Sequence, residues 1–324
     1  MTQCLLEVHD LQTHLFFESG VARVVDKVSF SVQYGETLAL VGESGCGKTM
    51  TAYTLMRLVP SPPGKIVGGC IRLTGENLLD LPEKKMRQLR GDRIAMIFQE
   101  PLTALNPVFR IGDQITEVLH VHRNMKKKDA RERAVQLLRD VGIPAAELRL
   151  SSYPHQLSGG MRQRVMIAMA LACDPMLVIA DEPTTALDVT IQAQIMDLFR
   201  SLRERKTMGM LLITHDLGIV AEIAHTVAVM YAGTIVEYTD VVSLFHAPLH
   251  PYTQGLLCSL PRPHQQRLQP IPGMVPPLTA LPKGCRFHTR CGKVFDQCRE
   301  LEPDLVMVNN DTAVPHRVRC WHYQ

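Results

Sequence analysis

No stretch of this sequence is apolar for long enough to cross a bilayer. The best candidate, VMIAMALAC at Val165 to Cys173, falls well short of the ~18 to 20 residues that a span needs. Any membrane role is therefore expected to run through a partner. An export signal is also missing: MTQCLLEVHD carries acids and no cationic head followed by an apolar block, which predicts a protein that stays in the cytoplasm. Neither sign of charge dominates, with 35 Lys and Arg against 32 Asp and Glu, so a broad basic face for nucleic acid is not expected. The run Lys126-Lys127-Lys128 reads as a solvated helix surface. Internal repeats and low-complexity tracts are absent too. What the 324 residues do have is 46% hydrophobic side chains, enough for a packed core in two domains or in one domain with an extension.

Cysteine is present in an odd number, nine, which with no export signal argues against a disulfide framework. Cys4, Cys46, Cys70, Cys173 and Cys258 are scattered, whereas Cys285, Cys291, Cys298 and Cys320 crowd the end of the chain. Their C-x5-C-x6-C-x21-C spacing fits neither the short knuckles of structural zinc sites nor the ferredoxin patterns. Four soft thiolates favour zinc or an iron-sulfur cluster. His288 and His316 lie nearby as further zinc ligands, and buried unligated thiols are the other reading.

VSFSVQYGETLALVG reads as two β-rich runs, Val28 to Val32 and Thr37 to Val41, turning at Tyr34-Gly35. After it comes LVGESGCGKTM, and then a helical apolar pattern through Ala52, Leu55, Met56 and Val59 that Pro60 ends. GESGCGKT satisfies G-x-x-x-x-G-K-[ST] between a strand and a helix, the context the motif needs. Gly42, Gly45 and Gly47 let the backbone of Glu43, Ser44 and Cys46 curl its N–H groups around phosphate oxygens. Lys48 is expected to reach the β and γ phosphates, and the Thr49 hydroxyl to ligate Mg²⁺. RIAMIFQ, MLVIADE and GMLLITHD are short apolar runs of the kind found in strands covered on both faces. Each ends in polar residues, which makes Gln99, Asp181 with Glu182, and His215 candidates for one ligand site at the carboxyl ends of strands. Asp181 is expected to hold Mg²⁺ through water and Glu182 to polarise an attacking water. A mostly helical insert is expected over about 102–172, and the proline-rich texture after Phe245 places a domain boundary near His246.

LSGGMRQRV at Leu157 to Val165 narrows the choice, because Ser158, Gly159 and Gly160 at a helix start form a second anion-binding device. Here the chain resembles the ATP-binding cassette (ABC) proteins. The resemblance implies an α/β, P-loop NTPase nucleotide-binding domain over 1–245, with a RecA-like core, an antiparallel β subdomain and a helical subdomain. It implies that two cassettes pair head to tail, the phosphate loop of one and the signature Ser158 to Gly160 of the other enclosing one ATP. Gln99 then corresponds to the Q-loop glutamine, which contributes to Mg²⁺ binding, Asp188 to the D-loop and His215 to the switch histidine. Glu182, His215 and Gln99 form the implied catalytic set. The family stacks adenine on an aromatic upstream of the loop, for which Phe16 and Phe17 are candidates, with core packing as the alternative.

FQEPLTALNPVFRIGDQI, HPYTQGLLCSLP and GCRFHTRC are similar to the nucleotide-binding subunits of dipeptide and oligopeptide importers. That likeness implies a second, related ATPase subunit, two membrane permease subunits, an extracytoplasmic substrate-binding protein and a place on the cytoplasmic face of the inner membrane. Nickel, glutathione or antimicrobial peptides are alternative cargoes in this branch. It further implies that residues 246–324 form a small metal-binding extension in which Cys285, Cys291, Cys298 and Cys320 hold a 4Fe-4S cluster, with Zn²⁺ as the alternative. Cys46 stands where the importers often have serine. Its place at a helix N-terminus predicts a lowered thiol pKa, so that alkylation inactivates and MgATP protects. The rival class, a soluble cassette ATPase of DNA repair or translation, usually carries two cassettes or a long coiled-coil insert, and this chain has neither.

Overall fold

The computed structural model describes residues 4–184, 189–205, 208–260, 270–309 and 314–324. The chain divides into two compact units. The first comprises Met1–Leu5, Gln33–Gly35 and Asp80–Leu211, and the second Leu6–Val32, Glu36–Leu79 and Leu212–Gln324.

In the first unit the strands Ile94–Ile97 and Leu177–Asp181 run parallel, with Ile94 opposite Leu177 and Ile97 opposite Ala180. Every residue of both strands is buried, the pattern of strands covered on both faces that the apolar runs predict. Within the expected helical stretch lie the helices Ile111–Arg123, Lys127–Asp140 and Gly159–Ala170, which pack on one another. The first two bury Ile115, Leu119, Ala130, Ala134 and Leu138 at helical spacing, while Lys127 and Lys128 stay exposed as read from the sequence.

The second unit holds an antiparallel sheet in the order Gly20–Gln33, Cys4–Phe17, Gly64–Leu73, Glu76–Asn77. A further run of strands follows the order Val306–Asn309, His316–Val318, Thr234–Asp240, Thr226–Tyr231, Thr37–Val41. Only the last pair of this run is parallel, with Leu38 opposite Thr226 and Val41 opposite Val229. The fold is thus a mixed α/β cassette, and the C-terminal segment adds strands to its sheet.

Behind these strands Ala39, Val41, Val229, Tyr231, Tyr252 and Phe287 share one core. Residues on both sides of His246 therefore bury apolar surface together. Glu237, fully buried, accepts hydrogen bonds from the backbone N–H of Leu249 at 2.7 Å and of His250 at 2.9 Å, and from His316 Nε2 at 2.8 Å. His250 in turn accepts from Tyr252 N–H through Nδ1 at 3.0 Å, and burial pulls its pKa down to about 4, so the ring is the neutral acceptor this bond needs.

Candidate functional site

The second unit carries the phosphate-loop residues. The all-buried strand Thr37–Val41 delivers the chain to Gly42, and the helix Lys48–Leu55 begins behind Gly47. Two glycines are sterically fixed. A Cβ on Gly42 would stand 2.2 Å from Met230 O, and one on Gly47, at φ +112°, would stand 2.2 Å from Val24 O. Both obstacles are backbone, so only glycine fits. Lys48 is 5% exposed, and its Nζ donates to the carbonyls of Gly42 at 2.8 Å and Glu43 at 3.1 Å. The ammonium is thus held across the loop, with its charge directed at the segment whose amides would cradle phosphate. The helix ends at Leu55, earlier than Pro60 suggested.

Cys46 overturns an expectation. It is fully buried, and burial pushes its thiol pKa up rather than down, with Lys48 only partly offsetting the rise. A helix N-terminus favours the thiolate, but here loss of solvation disfavours it by more. Cys258, in the same unit, is exposed.

Phe16 and Phe17 are 48% and 46% exposed, so neither ring belongs to the core. Phe16 lies 6.4 Å from the His14 ring and donates its N–H to Pro63 O at 2.9 Å. An open aromatic face beside an ordered strand is a fitting platform for a planar base. His215 is exposed where the strand Gly209–Thr214 meets the helix Leu217–Ile223, whose first turn Asp216 caps through bonds to Gly218 and Ile219.

Two residues that sequence reasoning did not single out reach the loop in this unit. Tyr252 Oη accepts the Glu43 N–H at 2.9 Å, and Arg290 donates to both carboxylate oxygens of Glu43, at 2.6 and 3.0 Å. The only signals were the HPYT and GCRFHTRC strings themselves, which name no partner.

The four clustered cysteines are brought into one neighbourhood. Burial pushes the Cys285 thiol up to about 12, and Cys298, Cys320 and Cys291 add to the rise. Burial likewise raises Cys291 and Cys320, again with contributions from neighbouring thiols. Even so, among the described residues no group of three or more His, Cys, Asp or Glu side chains is placed to hold a metal ion. Thiols with raised pKa values are protonated at neutral pH and carry no charge to draw a cation in. His316 Nε2 lies 2.8 Å from Glu237 Oε1, and His288 Nδ1 lies 2.8 Å from Cys285 O.

The first unit carries the carboxylates and the signature. Asp181 ends the strand Leu177–Asp181 and is 1% exposed. Glu182 follows at φ +45°, a left-handed conformation that a glutamate adopts only where its surroundings enforce it. The turn presents its carboxylate to Gln99, whose Nε2 donates to Oε2 at 3.0 Å. Two predicted residues thus meet.

Ser158 caps the helix Gly159–Ala170, its Oγ accepting from Met161 N–H at 3.3 Å. Ser158 and Gly159 are exposed, and a Cβ on Gly159 would meet nothing within 4 Å, so this helix tip can receive an anion from outside. Gln163, one turn further on and 2% exposed, donates to Pro183 O at 2.5 Å and ties the signature helix to the carboxylate turn. Sequence reasoning passed over this glutamine. Asp188 lies outside the described residues.

Known proteins resemble this chain over most of its length. A family model described as ABC transporter matches residues 25–185, and one described as oligopeptide/dipeptide transporter, C-terminal region, matches residues 236–298. The oligopeptide transport ATP-binding protein AppD of Bacillus subtilis (strain 168) is 52% identical, with 99% of this chain and 97% of the relative covered. The dipeptide transport ATP-binding protein DppD of Escherichia coli (strain K12) is 50% identical, with 94% of this chain and 93% of the relative covered. Among solved structures, the dimeric bacterial ABC transporter cassette MJ0796 superimposes with a TM-score of 0.66 at 25% identity, covering 73% of this chain and 98% of that one.

Proposed function

Because the chain belongs to the ABC transporter family, among the ATP-binding proteins of oligopeptide and dipeptide transport, we propose that it hydrolyses ATP to energise peptide import through membrane permease subunits. The observation that carries this reading is the phosphate loop, whose Gly42 and Gly47 admit no side chain and whose Lys48 is held across the cradle.

Lys48 and the amides of Gly45 and Gly47 stabilise charge on the phosphates, and Thr49, Gln99 and Asp181 are each assigned to Mg²⁺. Glu182, oriented by Gln99, accepts the proton of the attacking water, and His215 attends the γ-phosphate. Phe16 stacks on adenine. The exposed tip Ser158 to Gly160 supports closure of one cassette on the loop of another, and Asp188 is assigned to the same closure. The dimer partner is a second, related ATPase, and an extracytoplasmic substrate-binding protein feeds the assembly at the cytoplasmic face of the inner membrane. Among the described residues no helix is long and apolar enough to cross a membrane, in keeping with attachment through permeases.

Expressed with its permeases, the chain is expected to pellet with membranes and to support ATP-dependent uptake of a labelled dipeptide. Expressed alone, it is expected in the supernatant. Uptake undiminished by deleting the chain would overturn the assignment.

The four cysteines we read as ligands of a 4Fe-4S cluster, with Zn²⁺ as the alternative, supported by the convergence of soft donors in one neighbourhood. Loading must then draw the thiols together and deprotonate them. Anaerobic purification is expected to give about four iron and four sulfide per chain. Colourless protein with stoichiometric zinc would replace the cluster by zinc, and protein with neither would leave unligated thiols.

A further inference from the structure

Arg290 lies between Cys285 and Cys291 in the extension, 247 positions from the phosphate-loop residue it touches. Its side chain is 3% exposed. The guanidinium sits 5.7 Å from the Tyr231 ring centroid and 5.9 Å from that of Phe287, and its Nε donates to Pro272 O at 2.9 Å. Packing therefore aims the fork, and the fork closes on the Glu43 carboxylate with two bonds. Tyr252, from the same extension, holds the Glu43 backbone N–H.

We propose that Arg290 is a positioning residue for nucleotide binding: by neutralising Glu43 and fixing the second residue of the loop, it lets the C-terminal extension set the loop's affinity for MgATP. The physical reason is charge. Glu43 is an acid inside a loop whose task is to hold a polyanion, and an unpaired carboxylate there would repel every phosphate that entered. Lys48 Nζ bonds the carbonyls of Gly42 and Glu43, whereas the Glu43 carboxylate is closed by the Arg290 fork. Burial of Arg290 keeps the pair only weakly screened by salt. The proposal rests on the reading that this loop binds ATP.

Equilibrium MgATP binding to the full chain, with melting curves recorded alongside, tests it through a double-mutant cycle. Arg290→Met, which keeps the apolar stem, is expected to weaken MgATP binding about tenfold. The double variant Glu43→Gln/Arg290→Met, which removes the stranded charge but keeps the loop backbone, is expected to bind within about threefold of wild type. A merely structural arginine would show no such rescue, since the second substitution restores no packing. Wild-type affinity in Arg290→Met, or an equal loss in the double variant, would overturn the proposal. If Arg290→Met does not fold, Arg290→Lys replaces it, with about threefold weakening relieved by Glu43→Gln; no weakening would count against the proposal equally. A wild-type chain that binds no MgATP would instead fail the reading of the loop, and this proposal with it.

Discussion

Glu182→Gln is expected to lower ATP turnover by about a hundred- to a thousandfold while leaving MgATP binding near wild type, and to trap the closed dimer. Binding draws on the loop residues around Lys48, which the substitution does not touch. Turnover needs a base to take the proton of the attacking water, and an amide cannot. The geometry makes Glu182 the better base of the adjacent acids: Asp181 is sealed at 1% exposure, whereas Glu182 is turned out by its left-handed backbone and held by Gln99 Nε2 at 3.0 Å. Steady-state phosphate release, nucleotide binding at equilibrium and size-exclusion chromatography in MgATP together check the three expectations. Wild-type turnover in the variant would remove Glu182 from its role. The contact with Gln99 adds a weaker companion effect, since an alanine there would let the carboxylate swing without removing it.

Much of the fold and the loop was legible because local physics leaves few options at those positions. A Cβ on Gly42 or Gly47 would stand 2.2 Å from backbone, so the glycine spacing in the sequence is a direct trace of the loop's shape. The apolar runs ending in Gln99 and in Asp181 could be read as doubly covered strands, since burial on both faces abolishes the polar alternation of a surface strand. The hairpin Thr226–Tyr231 and Thr234–Asp240 escaped notice although its signals were present, an apolar run, a glycine at φ +89° and a second β-rich run.

Cys46 failed for a different reason. Its neighbours in sequence argue for a helix-end thiolate, but its pKa is decided by burial, which those neighbours do not disclose. Arg290 and Tyr252 were out of reach altogether. Contacts spanning 247 and 209 positions have no periodicity to betray them, and a glutamate in a phosphate loop gives no hint of what neutralises it.

Glu237→Ala is expected to carry the largest stability loss, about 3 to 5 kcal/mol, and to loosen the extension first. Glu237 sits mid-strand in Thr234–Asp240 with no exposed surface, and its carboxylate is the common acceptor for Leu249 N–H, His250 N–H and His316 Nε2. Removing it strands two backbone donors and an imidazole donor in buried or half-buried surroundings, and each fully buried orphan costs about 1 to 3 kcal/mol. The neighbouring order depends on the same group. The His250 amide anchors the turn into the helix Pro251–Cys258, from which Tyr252 reaches the Glu43 N–H, and His316 opens the strand that pairs with Thr234–Asp240. Glu237→Gln keeps one acceptor oxygen and should lose less than half as much. Denaturant titration monitored by circular dichroism measures the loss, and limited proteolysis mapped by mass spectrometry locates it. Cleavage should appear between His246 and Tyr252 before it appears in the helices Ile111–Arg123 and Lys127–Asp140, because the latter are packed by their own apolar faces and owe nothing to Glu237. Uniform loosening of both units, or stability within 1 kcal/mol of wild type, would show that the extension is held by its apolar core of Tyr231, Tyr252 and Phe287 and not by this buried carboxylate.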